Sequence, residues 1–153
     1  MILTIGGAVS KANRGASNAF DDAFLSVHGY NFEQAATFDV AALERLGTVT
    51  ATIKAETWPR AVTIEGPRLR DVLAAAEWNG EAITTVALDG FAVELSKADI
   101  AARDWILAIK ADGAYLGVGG HGPAWLVYDV PGGNASAEDE SHWPWAVFYF
   151  QAD

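Results

Sequence analysis

The chain has 153 residues, 51% of them apolar, which is enough for one domain with its own core. Ten Lys and Arg against twenty Asp and Glu leave a formal charge of −10, so the surface repels nucleic-acid phosphates and anionic lipid. The absence of cysteine excludes disulfides, thiolate nucleophiles, Cys-based zinc sites and iron–sulfur clusters.

No stretch approaches the roughly 18 apolar residues of a membrane-spanning helix, and no membrane insertion is expected. The opening "MILTIGGAVSKANRG" predicts a strand over residues 2–9 and a turn, without the basic segment and long apolar run of a signal peptide. It fits a cytoplasmic protein, or a periplasmic one whose leader was replaced by Met1. Residues 10–23 are polar and turn-rich, and Phe24 to Val27 suggest a second short strand.

"DVAALERLG" predicts a helix capped by Asp39, with Val40, Leu43 and Leu46 on one face and Gly47 at its stop. "TVTATIKA", residues 48–55, is β-branched at alternate positions, as in a half-buried strand. In "EGPRLRDVLAAAEWNG", Leu69, Val72, Leu73 and Ala76 form a helical stripe, Pro67 suits the first turn and Asn79-Gly80 the end. "ITTVALDGFAVEL" is a hairpin around Asp89-Gly90. Ser96 with Asp99 forms a capping box for a short helix through Arg103. "WILAIKADGAYLGV" repeats the hairpin pattern at Asp112-Gly113. "AWLVYD" is a strand, "VPGGNASAEDESHWP" a loop and "WAVFYFQ" the closing strand.

"GVGGHGP" spells G-x-G-x-x-G at Gly117, Gly119 and Gly122. A phosphate cradle needs a helix after the loop, and "AWLVY" predicts a strand instead, so the match is a coincidence. No G-x-S-x-G elbow accompanies the serines and histidines. His28 and His121 sit beside glycines, where a polar ring satisfies a turn. His142 follows Glu138, Asp139 and Glu140, which are consecutive and fan outward, as on a solvated loop. The sequon Asn134-Ala135-Ser136 carries no weight without a secretory origin. Lys54 and Glu56 flank a strand end and are expected to pair on the surface. Of six tryptophans most belong in the core, whereas Trp143-Pro144-Trp145 forms an aromatic edge suited to a planar ligand or a partner's proline.

"VTIEGPRLRDVLAAA", "VALDGFAVELSKADI" and "ILAIKADGAYLGVGGHGPAWLVYDVP", in this order and followed by "HWPWAVFYF", resemble the molybdopterin-binding domain of the sulfite oxidase fold. The likeness covers residues 48 to 150 and is strongest to small stand-alone bacterial members. It implies an α+β domain around a curved sheet, with a groove at strand ends that in the enzymes holds a molybdenum or tungsten pterin. "GGHGPAWLVY" resembles the family's His-Gly-x-Pro turn, whose glycines serve the turn and let a groove wall approach. The metal-ligating cysteine of the enzymes falls nearest Lys54 and Ala55. Their arginine in the strand after the turn falls at Trp125, and the closing stretch "SHWPWAVFYF" has no base. His121 keeps its family-like place.

The expectation is therefore a single domain over residues 1–153. It is α+β, with a mixed, curved or barrel-like sheet and about three short helices. Its groove is expected to be aromatic-lined by Trp58, His121, Trp125, Trp143 and Trp145, with Lys54 and Arg60 at the rim. No catalytic residue, metal ligand or cofactor is expected, and a molybdopterin enters by resemblance only. The groove would take a small molecule or a protein partner. Two rivals are a molybdopterin-dependent oxidoreductase with a non-thiolate metal site, and an accessory subunit docking through "HWPW".

Overall fold

A computed structural model describes all residues 1–153. The chain opens with β1 (Leu3–Gly7), α1 (Ala23–Val27), β2 (Ala35–Phe38) and α2 (Val40–Glu44). β3 (Val49–Ala55), β4 (Val62–Gly66), α3 (Leu69–Ala75), β5 (Ala82–Ala87), β6 (Ala92–Ser96) and α4 (Lys97–Ala102) make the middle. β7 (Trp105–Ala108), β8 (Lys110–Ala111), β9 (Ala114–Tyr115) and β10 (Trp125–Tyr128) follow. A 3-10 turn at Pro131–Gly133, β11 (Asn134–Ala135), α5 (Ala137–Ser141) and β12 (Val147–Ala152) end the chain. The class is α+β, with twelve strands in open mixed sheets and five short helices where about three were expected. No helix is long and apolar enough to cross a membrane.

One five-stranded sheet has the order β2-β1-β12-β5-β6 and another the order β11-β3-β4-β8-β9. The β1–β12 and β3–β11 pairs are parallel, the rest antiparallel. Between the sheets lies the antiparallel pair β7–β10. Leu107 N donates to Pro67 O and Ile109 N to Glu65 O, each at 2.9 Å, which ties β7 to β4. On its other side, Leu126 N bonds Pro144 O at 3.0 Å and Val147 N bonds Ala124 O at 2.9 Å. Every residue of β7 and β10 is buried, because packed side chains cover both faces. The main core, 32 buried residues, runs through this pair. A five-residue cluster of Leu25, Phe32, Ala35, Val86 and Tyr149 lies under α1.

Local chemistry explains most elements. β3 buries Ala51, Ile53 and Ala55 and exposes Thr50 and Thr52. Asp39 accepts the Ala42 N–H at 2.7 Å to start α2. Ser96 and Asp99 close their capping box on α4. Asp112 (φ +50°) and Gly113 (φ +83°) make the left-handed turn that joins β8 to β9.

Four expectations need correction. Phe24 to Val27 belong to a helix, because Asp22 precedes it, Gly29 at φ +81° follows it, and only Leu25 faces inward. α3 starts at Leu69, since β4 runs through Gly66 and Arg68 is still extended as the N-cap, and it stops at Ala75 before Glu77 turns left-handed. The Asp112-Gly113 hairpin is only two residues deep, because β7 leaves it to pair with β10. The segment 130–144 is not a solvated loop. Ser136 and Asp139 form a second capping box, and the consecutive acids occupy the first turn of α5, where the helix dipole favours them.

Candidate functional site

The end of β3, the loop to β4, the glycine-rich loop before β10, and α5 surround a cleft of about 690 Å³. Five of the seven candidate residues, Trp58, Arg60, His121, Trp125 and Trp145, line it together. Trp125 is almost wholly buried at 4% exposure, while Trp145 stands 54% exposed at the mouth. The His121 ring stacks on Trp125 at 4.1 Å and meets Trp145 edge-on at 5.3 Å. Trp58 packs against Trp125 at 5.3 Å and against Trp143 at 5.9 Å. Burial holds the His121 pKa below its ordinary value, so the ring in this stack is neutral at pH 7.

Two candidates lie elsewhere. The Lys54 ammonium turns back along its own strand end, donating to Ala55 O at 2.7 Å and to Trp58 O. It is a staple for the 55–58 turn rather than a rim cation. Glu56 does not pair with it, but accepts the Ala137 N–H at 3.0 Å at the start of α5. Trp143 is buried behind Trp58 and lines a neighbouring cavity instead of the cleft.

The residue that sequence reasoning missed is Glu140. Its carboxylate accepts from the Trp58 indole N–H at 2.6 Å, and from the Thr57 hydroxyl at 2.5 and 2.9 Å. Charge-assisted bonds of this kind are the strong ones, and here they lock α5 onto the turn after β3. The signal for the helix was present in the sequence, since Ser136-x-x-Asp139 repeats the Ser96-x-x-Asp99 pattern, whereas the contact of Glu140 with Thr57 is long-range and had none. Glu140 is also the negative group of the cleft. Arg60 is its positive one, and Arg60 already pairs with Asp112 at 3.0 Å.

Behind the cleft, the buried Tyr128 hydroxyl donates to Asp139 Oδ1 at 2.6 Å and lies 3.2 Å from His142 Nδ1. The Tyr128 hydroxyl and the bonds from Ser136 together hold the Asp139 carboxyl below the usual carboxylate range. Burial, then the Asp139 bond, pushes Tyr128 up to about 12. Asp139's contribution is thus present above pH 3.8 and lost as pH falls through its depressed folded value. Tyr128's is present below the ordinary tyrosine value of 10.0 and lost as pH rises toward about 12. Tyr128→Phe is expected to cost about 2 kcal/mol at pH 7, the value of a hydrogen bond to a charged group. The gap from wild type, followed by melting temperature, should narrow in both pH windows; a gap constant from pH 3 to 11 would refute this coupling.

The glycine-rich loop closes on itself. Gly120 N and Gly122 N both donate to Gly117 O, at 3.1 and 3.0 Å, so these amides are committed within the turn. Gly119 holds φ +102°, and a Cβ at Gly122 would lie 2.4 Å from Leu116 O. β10 follows directly, with no helix to hold a phosphate. His28 caps α1, its Nδ1 lying 2.8 Å from Phe24 O. No protein-family model matches the chain, and no curated protein matches it.

Proposed function

We propose that this chain is a non-catalytic binding protein on a sulfite-oxidase-like molybdopterin-binding scaffold, holding a planar, weakly polar small molecule in the cleft. The observation that carries the reading is the wall of Trp58, Trp125, Trp145 and His121 around about 690 Å³, a size suited to a small ligand. Indole faces at several angles favour flat, polarizable groups. The ordered resemblance over residues 48 to 150 supports the scaffold, and the cleft lies at the end of β3, where that resemblance puts the cofactor groove.

The molybdopterin itself does not fit the residues present. The chain has no thiol to hold the metal. Its phosphate tail needs free cations, yet Arg60 is engaged by Asp112, Lys54 by backbone carbonyls, and Glu140 adds negative charge. No redox step follows from such a set.

Native mass spectrometry of freshly isolated protein is expected to show no molybdenum or tungsten. Stoichiometric molybdenum with a pterin would overturn the reading. Binding is read by indole fluorescence against neutral heteroaromatic compounds: saturable quenching is expected for wild type and not for Trp58→Ala. Absence of saturable quenching by every compound would also overturn it.

A further inference from the structure

A second cavity, of about 360 Å³, adjoins the cleft and shares Glu140, Ser141 and Trp145 with it. Phe91, Trp143 and Trp145 line it, and its charged groups are Asp89 and Glu140. No lysine or arginine reaches it. Trp143 is a fixed wall, packed edge-on against Tyr128 at 5.4 Å and tilted against Trp58 at 5.9 Å. Phe91 and Trp145 are 60% and 54% exposed, a large apolar area left against water. Phe91 sits at the tip of the β5–β6 hairpin, where the Asp89 carboxylate accepts its N–H at 2.9 Å and fixes the turn.

Three properties of this cavity select the same chemistry. Aromatic faces carry the negative end of the ring quadrupole and attract cations. Neither carboxylate takes part in an ion pair, the three pairs of the protein being Arg14–Asp22, Arg60–Asp112 and Arg68–Asp104. The hydrogen bonds that orient Asp89 and Glu140 come from neutral donors, the Phe91 N–H, the Thr57 hydroxyl and the Trp58 indole. The chain as a whole stands at −10, so its field draws cations in. A hydrated metal ion would find two carboxylates and the Ser141 hydroxyl, which already donates to Glu138 O, too few oxygen ligands for calcium or magnesium. An anion would be repelled. A cation with an apolar skin satisfies both the rings and the carboxylates.

We propose that this cavity binds the quaternary ammonium group of a small organic cation. Trp145 and Glu140 belong to both cavities, whereas Phe91 and Asp89 do not line the larger cleft. Variants at Phe91 and Asp89 therefore test this site without touching the cleft proposed above.

The experiment is a titration of ¹⁵N-labelled protein with choline and with its neutral isostere 3,3-dimethyl-1-butanol. Saturable shifts are expected at residues 89–91 and 143–145, including the Trp143 and Trp145 indole signals. Choline should bind about tenfold more tightly than the alcohol, as cation–π attraction requires. Phe91→Ala should weaken choline about fivefold and, being on the surface, leave the remaining spectrum folded. Asp89→Asn keeps a turn-forming side chain while removing the charge, and should weaken choline about threefold and reduce its salt dependence. Equal affinity for choline and the alcohol would overturn the proposal. So would choline binding unchanged in both variants, shifts centred on residues 57–60 and 121, or no saturation with choline.

Discussion

Gly66→Ala is expected to destabilise the protein by about 3 kcal/mol or more, enough to unfold a domain of ordinary stability. A Cβ at Gly66 would sit 2.0 Å from Leu107 O and 2.8 Å from Leu107 C, both backbone atoms. β7 cannot step back. Its Leu107 N and the N–H of Ile109, the residue after the strand, hold the β4 side at Pro67 and Glu65, and its other edge pairs Leu107 with Leu126 of β10. Because β7–β10 carries the main core between the two sheets, relief of the clash must break one of these ladders. Gly117→Ala is the control, since nothing lies within 4 Å of its Cβ. Urea denaturation should show a large fall in midpoint for the first and a change below about 1 kcal/mol for the second. A loss below about 1 kcal/mol for Gly66→Ala would mean that β4 and β7 are not held this closely.

The same pair of strands marks the boundary of what was legible in the sequence. Elements that answer to neighbours in the chain were legible: the alternation of β3, the Asp39 and Ser96 caps, and the turns at Asp89-Gly90 and Asp112-Gly113. The placement of β7 was not, because "WILA" is apolar throughout and carries no period that names its partner. Its bonds to β4 and β10 are long-range, and they also shortened the hairpin that local turn chemistry implied. α5 failed for a different reason. Its capping box was visible, but three consecutive acids suggested solvent, whereas two of them find separate partners, Asp139 in Tyr128 and Glu140 in Thr57 and Trp58.

The candidate site divides in the same way. Aromatic type together with the family resemblance nominated Trp58, His121, Trp125 and Trp145, which converge from distant segments. It could not separate Trp143, an indole buried by its neighbours, from Trp145 two positions on, which stands in solvent. Nor could residue type show that Lys54 would spend its charge on two carbonyls. Side-chain direction at a strand end is set by the acceptors beside it, here the carbonyls of the 55–58 turn.

Trp58 is where stability and the cleft depend on one side chain, and Trp58→Ala is expected to cost about 3 kcal/mol. The loss has two parts. Its ring fills the space between Trp125 and Trp143, at 5.3 and 5.9 Å. Its indole N–H donates to Glu140 Oε2 at 2.6 Å, and removal leaves that partly buried carboxylate with Thr57 alone. Trp58→Phe separates them by keeping an aromatic ring without the N–H, and is expected to cost about 1.5 kcal/mol, the lower range for a hydrogen bond to a charged group. Glu140→Ala should then cost less in Trp58→Phe than in wild type, because the shared bond is already gone and only the Thr57 bonds remain to be lost. A double-mutant cycle by urea denaturation should give a coupling of about 1 kcal/mol or more. Strict additivity would show that Glu140 does not hold α5 to the cleft through Trp58, and the wall of the proposed binding site would then lack the support assigned to it.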